Sequence, residues 1–548
     1  MRESYKPFIA IACQTTLVNK TGTWRTQRPE YEAGISPCQS ACPARNYIPK
    51  CLDLVEQGEL RNAWEVIMET NPLPFVCGSV CPHPCEASCN REQFDEALAI
   101  RDMERFLGEE ALKNNWLPPK VADSNEAKVA IIGSGPAGLS CAYQLARRGY
   151  KVTIYEALPV VGGMLQVGIQ DYRLPRDILQ REISNNILLP FKVEVKANSL
   201  VSREVFQRIR QEFQAIFIAT GAQKARELDV PGVNLAGVFD GVSFLRDRAL
   251  SKLPPDLLKG KKVVVVGGGG VAIDASRTAV RLGAEKVQLV CLESQEDMPA
   301  YEWDIQDAVK EGIELNCSWG PEEILGDDNG KFSGVSFIRC TSVFDSEGKF
   351  NPSFDRSIER SFEADAAIIA IGQVSDLSFL AEEVQSTPEG KVKVDDALKT
   401  DVAGIFAGGD TVTQPATVIE AIAAGTRAAH SINRYLRGEP LTLPEEGGRI
   451  VQFEELNLDY FEHQVRQARI SEPLSAVEEA RRCFSCGYCN MCGMCWVFCP
   501  DIAIRQEEDH YEIDYDYCKG CGICVQECPS SSIVLVKEED DGTKSDDR

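Results

Sequence analysis

The sequence is poor in histidine, in positive charge and in long apolar segments. Only four histidines occur among 548 residues, and none has a second ligand at metal-site spacing. The formal net charge of −25 argues against binding to nucleic acid or to an anionic membrane surface. No run of 18 apolar residues occurs, so no membrane-spanning helix is predicted. The N-terminus lacks the apolar stretch of a secretory signal, and we therefore expect a cytoplasmic protein.

Cysteine, in contrast, is abundant, with 22 residues, which in a reducing compartment indicates metal ligands rather than disulfides. The pattern C-x2-C-x2-C-x3-C-P occurs twice, in residues 489–500 and 518–529. This spacing is typical of two [4Fe–4S] clusters in which the last cysteine of each run binds the other cluster. Structural zinc fits less well, because a zinc site takes four ligands in two pairs. The pattern predicts one cluster on Cys489, Cys492, Cys495 and Cys528 and a second on Cys518, Cys521, Cys524 and Cys499.

A first nucleotide-binding motif, G-x-G-x-x-G, spans Gly133–Gly138 between an apolar strand and a helix predicted over residues 139–148. The glycines allow a tight turn and close approach of the backbone to a pyrophosphate at the helix N-terminus. A second strand, Lys151–Tyr155, ends at Glu156, where an acid binds a ribose hydroxyl. This order of strand, turn, helix, strand and acid predicts a dinucleotide site.

A second motif of the same kind spans Gly267–Ala272, again between a strand and a helix. The next strand leads to Glu293, where an NADP site would usually have an arginine for the 2′-phosphate. A carboxylate would repel that phosphate and could accept a hydrogen bond from a free 2′-hydroxyl, so NADH is predicted rather than NADPH. The alternative that Glu293 is a solvated loop acid stays open.

Two nucleotide sites in one chain indicate a flavin and a nicotinamide. The segment Gly404–Asp410 reads as a strand followed by a Gly-Asp pair, and a helix is predicted over residues 416–429. The N-terminus of that helix could face the flavin, and Asp410 could bind its ribityl chain. Since 548 residues exceed one hydrophobic core, several domains are expected, with doubly wound α/β folds from Lys128 to about Ile371.

Residues 21–437 resemble the small subunit of glutamate synthase, the corresponding part of dihydropyrimidine dehydrogenase and the large subunit of NADH-dependent ferredoxin:NADP oxidoreductase. The resemblance rests on the two glycine motifs, Gly162–Leu165, Tyr172–Pro175, Ala219–Gly221, Met298–Ala300, Ala370–Gln373 and Gly408–Asp410. In that family FAD occupies the first fold and NAD(P)H the second, inserted one. The family usually has two arginines where this chain has Leu292 and Glu293, a departure that supports NADH.

The resemblance implies two sets of cofactor-binding residues. For FAD they are Gly133, Gly135, Pro136, Ala137, Gly138, Glu156, Gly163, Met164, Leu165, Gly168, Arg173, Thr220, Gly221, Gly409, Asp410 and Thr417. For the nicotinamide nucleotide they are Gly267, Gly268, Gly269, Val271, Ala272, Asp274 and Gly372, and Glu293 is added from its position at the strand end, where it departs from the family.

The N-terminal cysteines resemble the family's helical domain, which holds two [4Fe–4S] clusters. The resemblance implies that Cys42, Cys81, Cys85 and Glu104 bind one of them; the alternative is that Glu104 is a surface acid of its helix. The other cluster requires a C-x2-C pair that is missing upstream of Cys38, whereas Cys483 and Cys486 precede the ferredoxin-like runs. We infer that these ligands were moved, so that Cys38 and Cys89 share a cluster with Cys483 and Cys486. The alternative is that the pair are spare thiols.

The predicted fold is α/β, with an NAD(P) domain inserted into an FAD domain, both Rossmann-like, between an α-helical iron–sulfur domain and a ferredoxin-like α+β domain. The expected order is an extension (1–37), the helical domain (38–120), the FAD domain (121–237 and 372–445) around the NAD(P) domain (238–371), a linker (446–478), the ferredoxin-like domain (479–536) and an acidic tail (537–548).

The expected activity is oxidation of NADH at FAD, with electrons passing through four [4Fe–4S] clusters to a partner subunit or to soluble ferredoxin. Three alternatives are a glutamate synthase small subunit proper, a subunit in flavin-based electron bifurcation, and a redox sensor or scaffold without turnover.

Overall fold

The computed structural model of the protein describes residues 20–120, 126–327, 330–380, 384–413, 416–442 and 447–538. Most of the predicted acidic tail and the first 19 residues of the predicted extension lie outside these ranges. No helix within them is long and apolar enough to cross a membrane.

The N-terminal part is helical, as the sequence predicts. After strand β1, Gln27–Tyr31, the helices are α1 Pro37–Ala41, α2 Ile48–Glu56, α3 Leu60–Met68, α4 Pro74–Val80, α5 Pro84–Ala87 and α6 Ile100–Asn114. Trp64 and Phe106 are buried at its centre. The Glu182 carboxylate, from the next domain, accepts hydrogen bonds from the Phe75 and Val76 amides at the start of α4, at 2.7 and 3.1 Å.

The first dinucleotide domain has a five-stranded parallel sheet. Its strands lie in the order Ile405–Ala407 (β16), Ala215–Ile218 (β5), Lys128–Ile132 (β2), Lys151–Tyr155 (β3) and Glu194–Lys196 (β4). Its strands other than β4 are buried almost throughout, which explains their nearly continuous apolar sequences. The elements before the insertion are β2 Lys128–Ile132, α7 Pro136–Ala146, β3 Lys151–Tyr155, α8 Met164–Val167, α9 Arg176–Ile183, a π-helix Ser184–Leu188, α10 Leu189–Phe191, β4 Glu194–Lys196, α11 Arg203–Glu212, β5 Ala215–Ile218 and β6 Lys224–Ala225.

The inserted domain has a second parallel sheet, in the order β10-β9-β8-β14-β7, and a three-stranded antiparallel sheet. Its elements are β7 Val238–Asp240, α12 Gly241–Ala249, β8 Lys262–Val266, α13 Gly270–Arg281, β9 Lys286–Val290, α14 Glu302–Lys310, β10 Glu314–Asn316, β11 Trp319–Gly326, β12 Phe332–Phe344, β13 Phe350–Glu363 and β14 Ala366–Ile369.

The chain then returns to the first domain. Strand β15, Gln373–Val374, pairs with β6, strand β16, Ile405–Ala407, completes the first sheet beside β5, and helix α15 runs over Val418–Leu436. The first sheet therefore takes strands from both sides of the insertion, and the predicted fold class is confirmed.

The C-terminal region packs along the N-terminal helical part. Its elements are α16 Pro473–Ala480, α17 Met494–Val497, β17 Ile504–Gln506, β18 Tyr511–Ile513, α18 Ile523–Gln526 and β19 Ile533–Lys537, with short 3-10 turns at Phe453–Glu455 and Leu458–Tyr460. Strand β1 pairs antiparallel with β19, from Gln27 opposite Lys537 to Tyr31 opposite Ile533. The two ends of the described chain thus form one ribbon, which the sequence did not predict.

Helix α15 crosses α7 closely at a glycine. A Cβ on Gly425 would lie 2.2 Å from the carbonyl oxygen of Ala137 and 2.9 Å from Ser140 Cβ. We expect Gly425→Ala to destabilise the protein by about 1–3 kcal/mol, because backbone of α7 would have to move. Thermal unfolding of the full-length protein measures the change.

The matched control is Gly447→Ala, because a Cβ there meets no atom within 4 Å. An unfolding midpoint for Gly425→Ala equal to that of the control would contradict the close crossing.

Candidate dinucleotide sites and cysteine ligand sets

A cavity of about 640 Å³ lies at the carboxyl ends of the first parallel sheet. Its volume is that of a site for a sizeable organic ligand, and its position is where open α/β sheets bind nucleotides. Most residues predicted for FAD line it, namely Gly133, Gly135, Pro136, Ala137, Glu156, Gly163, Met164, Leu165, Thr220, Gly221, Gly409, Asp410 and Thr417.

The turn before α7 is shaped for close approach of a ligand. Gly133 has φ +105°, and a Cβ there would lie 2.3 Å from the carbonyl oxygen of Ala219. A Cβ on Gly135 would meet nothing within 4 Å, so this side of the turn is open towards the cavity. Helix α7 begins at Pro136 without a side-chain cap, which leaves its first amides available to a phosphate.

Two carboxylates lie in the cavity wall. Glu156 is buried, and its oxygens accept hydrogen bonds from the Ser134 amide at 3.0 Å and the Leu158 amide at 2.8 Å. These bonds fix the carboxylate at the end of β3, where the sequence predicts contact with a ribose. Burial raises the pKa of Asp410 to about 6, although its Oδ1 accepts a hydrogen bond from the Ala416 amide at 3.1 Å. The donors and acceptors of this wall fit a flavin dinucleotide.

Three residues predicted for FAD lie outside the cavity lining. A Cβ on Gly138 would lie 2.0 Å from the carbonyl oxygen of Gly133, so this glycine permits contact between helix and strand. Gly168 ends α8, and its amide donates to the Met164 carbonyl at 2.8 Å. Arg173 is turned towards the inserted domain. Arg203, Lys224 and Arg246 also line the cavity, but they lie outside the sequence motifs and were not predicted.

The second glycine motif forms a similar turn in the inserted domain. Gly267 has φ +138°, and a Cβ there would lie 2.2 Å from the carbonyl oxygen of Ala370. A Cβ on Gly269 would meet nothing within 4 Å. Gly372, with φ +122°, follows β14 at the same end of the sheet, and its carbonyl accepts from the Arg226 amide at 2.9 Å. The two residues of α13 predicted to bind the nucleotide differ in exposure, since Ala272 is fully buried in the core and Val271 is partly exposed.

Glu293 lies against this turn. A Cβ on Gly268 would be 2.7 Å from Glu293 Oε2. That oxygen is buried and has no hydrogen-bond partner within the part of the chain that the structure describes. Burial raises the pKa of Glu293, and the nearby Asp297 raises it further. A buried acceptor without a donor is costly unless a ligand supplies one.

Asp274, predicted to bind the nicotinamide nucleotide, instead joins the two dinucleotide domains. The Arg173 guanidinium forms ion pairs with Asp274 at 2.9 Å and with Asp304 at 3.2 Å. The Tyr172 hydroxyl donates to Asp274 at 3.3 Å, and the Arg281 guanidinium lies 3.8 Å from the centre of the Tyr172 ring. These contacts orient the inserted domain relative to the first.

The first N-terminal ligand set comes together around Glu104. Its Oε1 accepts hydrogen bonds from the amides of Asn46 at 2.9 Å and Asn71 at 2.7 Å, and burial raises the pKa of Glu104 to about 7. Burial and the Glu104 charge both raise the pKa of Cys42 to about 11 and that of Cys81 to about 12. Burial also raises the pKa of Cys85, and the charges of Cys42 and Glu104 raise it further. Glu104 therefore points into the group of thiols rather than into solvent.

The second set unites cysteines from both ends of the chain. Burial raises the pKa of Cys38 well above its ordinary value, and the charges of Cys89, Cys483 and Cys486 raise it further. Burial is the largest effect that raises the pKa of Cys483 and of Cys486, and the charge of Cys89 raises both further. The four thiols predicted to share a cluster are thus near one another in the fold.

A buried ion-pair network holds this junction closed. Arg482, which is 1% exposed, pairs with Glu479 at 2.7 Å and with Asp95 at 3.0 Å. Arg91 pairs with Asp95 at 2.6 Å and donates to the carbonyl oxygen of Arg482 at 2.7 Å. Glu479 also accepts from the Ala99 amide at 2.8 Å. The Glu-Ala-Arg-Arg sequence before Cys483 therefore anchors that cysteine to the helical domain.

The remaining two sets form within the ferredoxin-like module. The charges of Cys489, Cys492 and Cys528 raise the pKa of Cys495, after the larger effect of burial. The pKa of Cys524 is raised first by burial and then by its neighbours Cys518, Cys521 and Cys499. Each of these two ligand sets therefore combines the first three cysteines of one four-cysteine run with the last cysteine of the other run.

The four sets adjoin one another in a fixed order. Cys85 of the Glu104 set is close enough to Cys38 for their charges to interact, and so is Cys524 to Cys495. Only two residues, Gly487 and Tyr488, lie between Cys486 and Cys489 along the chain. Within the described residues, no three His, Cys, Asp or Glu side chains converge as they would on a single metal ion. A four-iron cluster is larger than one ion, so its ligands stand further apart.

Comparison with known proteins assigns families to three parts of the chain. Residues 127–425 match the pyridine nucleotide-disulphide oxidoreductase family. Residues 30–116 match the dihydropyrimidine dehydrogenase domain II, 4Fe-4S cluster family, and residues 511–534 match the 4Fe-4S binding domain. FAD and [4Fe–4S] clusters are therefore cofactors of this chain, and the family resemblance inferred from the sequence is confirmed.

Three curated relatives are similar to most of the chain. The NADP(+)-dependent formate dehydrogenase subunit beta of Moorella thermoacetica is 40% identical over 73% of this chain and 60% of its own length. The NADPH-Fe(3+) oxidoreductase subunit beta of Geobacter sulfurreducens is 36% identical over 75% of this chain and 65% of its own. The glutamate synthase (NADPH) small chain of Escherichia coli is 33% identical over 73% of this chain and 88% of its own. The chain thus spans less than two thirds of the first two relatives.

A solved structure supports the fold. FprA, an oxidoreductase of Mycobacterium tuberculosis, matches with a TM-score of 0.51 at 15% identity, covering 57% of this chain and 85% of that protein.

Replacement of both Cys483 and Cys486 by serine tests the set that joins the two ends of the chain. We expect iron to fall by about four atoms per chain while FAD is retained, because one [4Fe–4S] cluster would lose half its ligands. Iron and flavin analysis of the purified protein measures both.

The control is Cys340→Ser, since Cys340 is buried in β12 of the inserted domain, outside the predicted ligand sets. Unchanged iron in the double variant would contradict the shared ligand set.

Proposed function

Because the chain belongs to the pyridine nucleotide-disulphide oxidoreductase family, we propose that it oxidises NADH at FAD and passes single electrons through four [4Fe–4S] clusters to a partner oxidoreductase or ferredoxin. The observation that carries this proposal is the continuous order of the four ligand sets, from the helical domain to the ferredoxin-like module. FAD supplies the chemistry that converts hydride into single electrons. The protein binds and orients the cofactors and keeps water away from them.

The first ligand set lies near the flavin cavity. Burial raises the pKa of Tyr301, and the charges of Glu420, in the first turn of α15, and of Cys81 raise it further. Tyr301 stacks on Trp303 with ring centres 4.8 Å apart, and Trp303 contacts His83 at 5.2 Å. Since α15 begins at the cavity wall, these contacts bring the cavity, the inserted domain and Cys81 together. The Glu104 set is therefore our proposed first acceptor.

The environment of Glu293 supports NADH. Its buried, unpartnered oxygen beside Gly268 could accept a hydrogen bond from a free ribose 2′-hydroxyl, whereas a 2′-phosphate would meet a carboxylate and the nearby Asp297. The three relatives described above are named for NADP(+) or NADPH. We propose that this chain differs from them in its choice of nucleotide.

The exit for electrons is proposed at the ferredoxin-like module. Cys492 and Cys521 are exposed, and each belongs to a different ligand set of the module. Two relatives are named as beta subunits of larger enzymes, which supports a role as the electron-input subunit of a complex. The partner is a protein that accepts single electrons at low potential.

An anaerobic titration of cofactor-replete protein with NADH, and separately with NADPH, tests the function. Visible absorbance follows the flavin, and low-temperature EPR follows the reduced clusters. We expect NADH to bleach the flavin and to generate cluster signals. Reduction by dithionite but by neither nucleotide would contradict electron input from a nicotinamide.

Replacement of Glu293 tests the choice of nucleotide. We expect Glu293→Ala to lower kcat/KM for NADH about tenfold, because one hydrogen bond to a charged group is lost. The value of kcat/KM for NADPH should stay unchanged or rise. Steady-state reduction of an artificial one-electron acceptor measures both values.

Glu296→Ala is the matched control, because Glu296 is an exposed acid of the same loop. A wild-type enzyme that prefers NADPH, or equal effects of the two substitutions, would contradict the role of Glu293.

A further inference from the structure

The N-terminal segment runs along the ferredoxin-like module and reaches one of its ligand sets. The Gly22 amide donates to the carbonyl of Asp516 at 2.8 Å, and the Thr21 hydroxyl donates to that of Tyr517 at 2.6 Å. Strand β1 then pairs with β19, which brings Tyr31 opposite Ile533. The Tyr31 hydroxyl lies 3.3 Å from the sulfur of Cys495.

A second hydroxyl reaches the same ligand set. Ser532 Oγ lies 3.3 Å from the sulfur of Cys528, and the Ser532 amide donates to that sulfur at 3.4 Å. In the neighbouring set, the Ala503 amide donates to the sulfur of Cys499 at 3.3 Å. The sulfurs of the set that contains Cys495 and Cys528 are thus approached by two hydroxyl groups as well as by a backbone amide.

The direction of the Tyr31 hydrogen bond follows from cluster chemistry. A cysteine sulfur bound to iron is a thiolate without a proton, so it can only accept, and the phenol must donate. Reduction adds negative charge to the cluster and its sulfurs. A donor at the sulfur stabilises the reduced state more than the oxidised state and so raises the reduction potential.

We propose that Tyr31 donates a hydrogen bond to Cys495 and, with Ser532, raises the reduction potential of the cluster on Cys489, Cys492, Cys495 and Cys528. This inference rests on the proposed cluster assignment. The N-terminal segment is thus a tuning element for a cluster whose ligands lie more than 450 residues away in the sequence.

The test is Tyr31→Phe in the full chain, which keeps the ring and removes the hydroxyl. Potentiometric titration with dithionite, monitored by EPR, measures the cluster midpoints without a nicotinamide. We expect one midpoint to become more negative by about 59 mV, a tenfold change in a one-electron equilibrium. Ser532→Ala should shift the same signal in the same direction.

Tyr511→Phe is the matched control. Tyr511 belongs to the same apolar cluster as Cys495, but its hydroxyl donates to the carbonyl of Met491 at 3.2 Å. The inference is overturned if Tyr31→Phe leaves every midpoint unchanged, or if Tyr511→Phe shifts the same midpoint equally. Absence of any [4Fe–4S] signal in the wild-type protein would instead overturn the proposed function, and the inference with it.

Discussion

The arrangement of the redox centres depends on one buried electrostatic contact between the two ends of the chain. Arg482, Glu479, Asp95 and Arg91 form a network that is almost inaccessible to solvent. Removal of one member of such a network leaves an uncompensated charge and typically costs about 3–5 kcal/mol. The network holds the residues before Cys483 against the helical domain. Without it Cys483 would lose its anchor beside Cys38 and Cys89, although the β1–β19 pairing would still connect the ferredoxin-like module to the N-terminal segment.

A second constraint is the position of the inserted domain. The Arg173 ion pairs with Asp274 and Asp304 cross between the two dinucleotide domains, and the Tyr301–Trp303 stack meets His83 beside Cys81. The inserted domain thus contacts both the flavin domain and the first ligand set. This geometry suits a protein that receives two electrons at one end and releases them singly at the other, because the flavin domain, the inserted domain and the first ligand set are held together by packed contacts.

The sequence predicted those features that local spacing determines. The four-cysteine runs, the two glycine turns and the acid after β3 each depend on residues within a short segment, and the structure brings them together as expected. Contacts between distant segments could not be predicted from local spacing. The pairing of β1 with β19 and the Arg173–Asp274 bond had no signal in the sequence, since a single strand or ion pair does not specify its partner. The junction of Cys38 with Cys483 was inferred only because a family ligand pair was missing from its usual place.

The central claim is that one chain carries a two-electron flavin and four one-electron clusters that are in electronic contact. Stoichiometric reductive titration of the cofactor-replete full chain tests it most directly, with electrons counted per FAD by absorbance and EPR. The account predicts uptake of about six electrons per chain, two by the flavin and one by each cluster. Uptake of about two electrons, with the flavin bleached and no cluster signal, would contradict it.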